Sequence, residues 1–340
     1  MISVDNLVKS FSSNGAVVRA LDGVSLGVRA GAVVGIAGPS GAGKSTLARC
    51  LALQERPDSG AIQFDGIDLL SLDGTGLRAV RRQIGVVPAV KALVPHRTAA
   101  GNVALPLEGI GLDGPLRRKR VGELLDLVGL MDKAATHLGE LTPGQRRRIA
   151  MARALATKPT VLVVDEPTAD LDRDAAGAVL TVLDRIRAEL GVTVLATTKD
   201  TAVLRRICDD VAVLDNGRIV EHGRLLDLVT AESRTAATLL PAVDRGSVTV
   251  TGHDRVADVV LVGFAAVGAL LPEASARFGV DIAVLAGGLT RLGETPVARF
   301  RLGVTGALTD SALGWIAEAG GVVRHVPTGP HQGGELGVAA

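Results

Sequence analysis

"GIAGPSGAGKST", residues 35–46, follows the apolar run 32–36 and opens the helical segment "KSTLARCLAL". Strand, glycine-rich turn and helix in direct succession predict a nucleotide-binding α/β unit. From Gly38 to Ser45 the letters obey the P-loop pattern G-x-x-x-x-G-K-S. The glycines let the backbone turn its N–H groups inward around an anion. The new helix aims the positive end of its dipole at the same point. The expected phosphate cradle is Gly38, Pro39, Ser40, Gly41, Ala42, Gly43, Lys44, Ser45 and Thr46. Lys44 adds a mobile charge for the β- and γ-phosphates, and Ser45 a hydroxyl for Mg²⁺, so ATP and Mg²⁺ are the expected ligands.

The matching carboxylates stand in "VLVVDEPTADLD", residues 161–172. Four apolar residues deliver Asp165 and Glu166 to the carboxyl end of a strand. Asp165 is expected to hold Mg²⁺ through water, and Glu166 to polarise the water that attacks the γ-phosphate. The long stretch between Lys44 and Asp165 exceeds what a compact kinase needs. It contains "LGELTPGQRRRIAMARALA", residues 138–156.

Outward from these motifs, residues 1–35 alternate strand-like segments with Gly and Asp-Gly turns, which predicts antiparallel strands. Residues 72–130 hold polar helical stretches, and 142–215 run helix, strand, helix, strand, helix, strand. That alternation implies a parallel sheet with covering helices. Charged helices are expected around 221–238. A loose stretch, "LLPAVDRGS", then precedes a compact βαββαβ pattern of ferredoxin-like type. The predicted domains are 1–240 for nucleotide binding and 247–326 for a small α+β domain, with 327–340 a disordered tail.

Composition narrows the function class. The chain has 340 residues, 47% of them hydrophobic, and a net charge of +1, which gives no reason to expect nucleic acid as a partner. The basic run Arg117–Arg120 reads as a solvated helix face. Two cysteines, Cys50 and Cys208, lack metal-ligand spacing and read as reduced, structural thiols. The N-terminus lacks the apolar stretch of a signal peptide. The longest apolar run is too short to span a bilayer, so a membrane role has to come through a partner.

The P-loop, the "LTPGQ" element and "VLVVDEPTADLD", in this order, resemble the ATP-binding subunits of ABC transporters over about residues 1–230. "VRALDGVSL", "RRQIG", "RTAAGNVALPLE" and "VLRRICDDVAVLDNGRIVE" look like the methionine importer ATPases, which also carry a small ferredoxin-like C-terminal domain. The resemblance implies a head-to-tail dimer, as a homodimer or with a paralogous ATPase. ATP would lie between the P-loop of one protomer and the signature of the other. It further implies coupling to integral membrane permease subunits at the cytoplasmic face of the cell membrane, and through them to a substrate-binding protein. The small domain would bind an amino-acid effector, methionine. Phe11 matches the aromatic that stacks on adenine, and an ordinary core Phe is the other reading. Asp172 matches the aspartate that orders the dimer-interface loop.

Three positions depart from the family pattern. The signature is Leu141, Thr142, Pro143, Gly144 and Gln145, and Pro143 removes a backbone N–H that could reach the γ-phosphate. The same letters predict a sound helix start: Thr142 as N-cap, Pro143 at the first position and Gln145 closing a capping box. Ala89 stands where a glutamine is usual, with Lys91 a weak substitute. Lys199 stands where the switch histidine is usual, and lysine is donor-only and permanently charged. Its side chain either grips the γ-phosphate or points to solvent. All three departures concern γ-phosphate sensing, while Lys44, Ser45, Asp165 and Glu166 are intact. ATP binding with slowed hydrolysis is expected, since one lost donor can cost about 10²–10³ in rate. Two readings follow: a working importer ATPase for methionine or a related amino acid, or an ATP-binding regulatory subunit with weak or no hydrolysis.

Overall fold

The computed structural model describes residues 1–13, 16–87, 93–231, 233–243 and 252–326. Two compact units divide the chain, one formed by Met1–Leu228 with Ser233–Thr235 and the other by the remainder. The expected tail, 327–340, lies outside the described residues, as do Ala89 and Lys91.

In the first unit a six-stranded sheet runs in the spatial order Arg218–Arg224, Asp210–Asp215, Val33–Ala37, Thr193–Thr198, Val161–Asp165, Ile84–Val87. All its ladders are parallel except the first. Val33–Ala37 and Thr193–Thr198 are buried at every position, as strands covered on both faces must be. The P-loop strand therefore sits inside the sheet. The strands delivering residues 165 and 199 lie beside one another on one side of it. Their carboxyl ends share one edge, where ligands of open α/β sheets bind.

A second, antiparallel sheet has the order Ala16–Val28, Ile2–Ser13, Ser59–Phe64, Ile67–Asp68. One expectation fails here. Asp22-Gly23 is no turn; it lies inside a continuous strand, at a register shift where Leu7 pairs with Val24 and Val8 with Asp22. Gly23 takes φ +74° and faces Asn6 at φ +46°, so the glycine serves a β-bulge that bends the strand.

In the span 221–238, where charged helices are expected, the first residues belong instead to the edge strand Arg218–Arg224. Asn216 at φ +47° and Gly217 at φ +77° make the Asn-Gly turn that folds this strand back on Asp210–Asp215. The expected helices follow at Leu225–Thr230 and Arg234–Leu239. In the basic run Arg118 and Lys119 are exposed as expected, but Arg117 and Arg120 are not fully solvated. Arg120 is largely buried, and its Nη2 donates to the Leu155 carbonyl at 3.0 Å. The thiols are as expected: both are free and buried, and burial pushes Cys50 up to about 11 and raises Cys208 as well.

The second unit carries an antiparallel sheet in the order Asp281–Leu292, Thr295–Thr305, Arg255–Val262, Val322–His325. The helices Leu270–Phe278 and Thr309–Glu318 pack on one face. Ala274, Ala312, Leu313 and Ile316 meet Val259, Leu261, Leu302 and Val304 in its core. This is the ferredoxin-like βαββαβ arrangement. A short helix, Phe264–Val267, was not anticipated.

Candidate functional site

The phosphate loop is shaped by its contacts with both sheets of the first unit. A Cβ at Gly38, where φ is +147°, would lie 2.0 Å from the Leu214 carbonyl oxygen. A Cβ at Gly43, where φ is +103°, would lie 2.2 Å from the Ala20 carbonyl oxygen. Both positions demand glycine sterically. Gly43 brings no capping side chain to the helix Lys44–Leu51, so its first N–H groups are left for an incoming anion. Lys44 is only 7% exposed. Its Nζ donates to the carbonyls of Gly38 at 2.8 Å and Pro39 at 3.0 Å, and stands 3.7 Å from Glu166 Oε1. The ammonium thus lies folded into the loop it would share with phosphate.

Ser45 Oγ donates to Asp165 Oδ1 at 3.1 Å, and Thr197 Oγ1 donates to the same oxygen. A hydroxyl and a carboxylate oxygen at hydrogen-bond distance are the hard donors that Mg²⁺ takes, so the residues present fit that ion. Glu166 follows in a left-handed conformation, φ +46°. Its N–H is shared between the Thr197 carbonyl at 3.0 Å and Thr197 Oγ1 at 3.2 Å.

The strand end at 197–200 supplies more than a lysine. The Lys199 backbone N–H lies 3.3 Å from Glu166 Oε2 and donates to it, while the Lys199 residue is exposed. Thr168 Oγ1 donates to Asp200 Oδ2 at 2.9 Å, joining the segment after Glu166 to the same strand end. Asp200 also caps the helix Thr201–Ile207 through the Ala202 N–H at 2.8 Å. Sequence reasoning passed over Thr197, Thr168 and Asp200. The one signal was two threonines ending an apolar strand, both fully buried here.

Other expected site residues lie elsewhere in the unit. The capping box of Thr142 and Gln145 is present at 2.9 and 3.3 Å, with Pro143 at the helix start. Gly144 is buried, and a Cβ there would approach the Ala175 side chain to 3.0 Å. Among the described residues, Leu141–Gln145 have no hydrogen bond to Lys44, Ser45, Asp165 or Glu166. Asp172 caps the helix Arg173–Leu190, accepting from the Ala175 N–H at 2.8 Å. Phe11 is 37% exposed and pairs with the exposed Val18, two residues before the Ala20 carbonyl that abuts Gly43. It is not a core residue. Lys9 Nζ lies 5.3 Å from its ring centroid. A hydrogen bond to Glu55 raises the pKa of that ammonium, so it remains a cation beneath an exposed ring.

Comparison with known proteins gives independent matches to both units. A family model described as ABC transporter matches residues 21–169, and one described as NIL domain matches residues 255–325. The methionine import ATP-binding protein MetN of Thermobifida fusca is 42% identical over 331 residues, covering 96% of this chain and 100% of that protein. A MetN of Yersinia pestis is 40% identical over 303 residues, with 89% and 92% covered. Among solved structures, the dimeric post-hydrolysis state of the ATP-binding cassette MJ0796 bound to ADP and Pi superposes with a TM-score of 0.61 at 33% identity, covering 66% of this chain and 98% of that one.

Proposed function

Because the chain belongs to the family of methionine import ATP-binding proteins of ABC transporters, we propose that it binds MgATP, hydrolyses it and drives methionine import through a membrane permease. The observation that carries this is the convergence of Lys44, Ser45, Asp165 and Glu166 where the P-loop meets neighbouring strand ends. The loop N–H groups and Lys44 bind the triphosphate. Ser45 and Asp165 hold Mg²⁺, which neutralises charge on the phosphate oxygens when bound. Glu166, oriented by the Lys199 N–H, takes the proton of the attacking water. Phe11 and Val18 form an exposed apolar slab for the adenine. The regulatory-subunit reading is not favoured, since relatives named as import ATP-binding proteins match across both units.

Two copies would close on two ATP molecules, each using the signature Leu141–Gln145 of the other, with Asp172 ordering the loop between them. No helix among the described residues is long and apolar enough to cross a membrane. Attachment to the cytoplasmic face would then run through the permease, with a substrate-binding protein reached indirectly. Methionine bound by the second unit would act as effector. Reconstituted with its permease in vesicles, the chain should support methionine uptake that requires ATP and stops on Lys44→Ala. ATP turnover without methionine uptake would remove the substrate assignment. A titration of the full chain with methionine that does not saturate would remove the effector.

Hydrolysis is slowed, on this reading, because lysine replaces a histidine-type sensor at 199 and proline removes a donor at 143. A histidine can donate to phosphate and also accept, which lysine cannot do. Lys199→His should raise steady-state phosphate release about tenfold or more. Unchanged turnover would mean that the side chain at 199 stays in solvent during the reaction.

A further inference from the structure

The helix Pro143–Ala154 places one arginine where no motif asks for a charge. Arg147 is 3% exposed. Its Nε and Nη1 have no hydrogen-bond partner among the described residues, and its Nη2 reaches only the Ala169 carbonyl, at 3.5 Å. A guanidinium taken out of water with its donors unfilled is unfavourable unless another state of the protein fills them. The side chain is directed at the segment that follows the catalytic strand. Asp170 exerts the largest of the charge interactions on it, followed by Asp165 and Glu166, and burial outweighs them in lowering its pKa.

That segment is itself conformationally loaded. Glu166 and Asp170, at its two ends, both hold positive φ, +46° and +60°, without being glycine. Such residues stay there only when their surroundings hold them. On one side the segment is tied to the strand end by Thr168 to Asp200 and by the Lys199 N–H to Glu166. On the other it meets Arg147, whose donors are free to take more. The next residues, Leu171 and Asp172, lead into the helix whose Ala175 packs on Gly144. Arg147 therefore stands between the signature helix and the segment that aims Glu166.

We propose that Arg147 is a positioning residue for hydrolysis: on closure around ATP its unfilled Nε and Nη1 donors take oxygens of the 166–170 segment, the Asp170 carboxylate foremost, and lock Glu166 in its attacking orientation. A planar, permanently charged guanidinium suits this, because Nε and Nη1 point in different directions and each can take a separate oxygen of the segment while Nη2 stays on the Ala169 carbonyl. The signature helix would thereby report its position to the catalytic carboxylate of its own chain. This rests on Glu166 being the base.

The test is a cycle of four proteins: the parent, Arg147→Met, Glu166→Gln and the double variant, followed by single-turnover ATP cleavage, ATP affinity and denaturant midpoint. Methionine matches the bulk of the side chain without its charge, so stability is expected to hold or rise. The expected result is a loss of about tenfold or more in the cleavage rate for Arg147→Met, with ATP affinity within about twofold. In the Glu166→Gln background the same change should cost nothing further, since a residue acting through Glu166 has nothing left to position. An unchanged rate in Arg147→Met, or an equal loss in both backgrounds, overturns the inference. Full turnover in Glu166→Gln alone would overturn the reading of Glu166 instead. If Arg147→Met does not fold, Arg147→Gln takes its place under the same criteria.

Discussion

Glu166→Gln should retain ATP binding and lose about 10²–10⁴ of the hydrolysis rate, the span that a positioned general base contributes. The substitution is clean for a structural reason. Glu166 sits at φ +46°, and glutamine meets the same backbone strain as glutamate. The contacts that hold its main chain come from Thr197, through the carbonyl at 3.0 Å and the hydroxyl at 3.2 Å, and do not involve the side chain. The side-chain contact from the Lys199 N–H needs only an oxygen, which the amide supplies. What goes is the carboxylate's basicity and its charge 3.7 Å from Lys44 Nζ. Lys44 keeps its bonds to the Gly38 and Pro39 carbonyls, so the cradle stays assembled. Phosphate release and equilibrium ATP binding, measured on the same preparation, decide it. Release within twofold of the parent would remove Glu166 as the base.

Gly43→Ala should be far more damaging than Gly41→Ala, although the two glycines belong to one loop and both have positive φ. At Gly41 the angle is +83° and a Cβ meets nothing within 4 Å, so alanine there carries only the backbone term, about 1–2 kcal/mol. At Gly43 the angle is +103° and the Cβ would fall 2.2 Å from the Ala20 carbonyl oxygen. Backbone cannot rotate away as a side chain does, so the loop or the strand Ala16–Val28 must move. Strain and overpacking together amount to about 2–5 kcal/mol, a large share of a domain's stability. ATP affinity should fall with it, because the helix proposed to receive the phosphates starts at this residue. Denaturant midpoints and ATP titrations of the two variants are the comparison. Equal losses would show that the Ala20 contact is not what requires glycine at 43.

Several parts of this site were readable one residue at a time. A P-loop is a run of adjacent residues, and its chemistry is local: glycine for positive φ, a lysine, a hydroxyl, a helix start. Asp165 and Glu166 were readable because an apolar strand must end where its polar residues emerge. The capping box at Thr142 was readable because both of its bonds span three residues. Readings failed where one local signal serves two geometries. Asp-Gly suits a turn and also a bulge, and only pairing with a neighbouring strand selects between them. The Asn216-Gly217 dipeptide carries a hairpin signal that the sequence reading did not use.

Amino-acid order by itself determined the fold class and the family resemblance, and it singled out the phosphate and carboxylate candidates. Tertiary structure alone decided which groups meet. It brought Thr197 to Asp165, the Lys199 amide to Glu166, Thr168 to Asp200, and the buried Arg147 to the carbonyl of Ala169. The physical reason is that a parallel sheet sets its neighbours by crossover connections, so strands remote in the chain end side by side. The hydrogen bonds that hold Asp165 and Glu166 form between those ends, and no periodicity within any one segment encodes them.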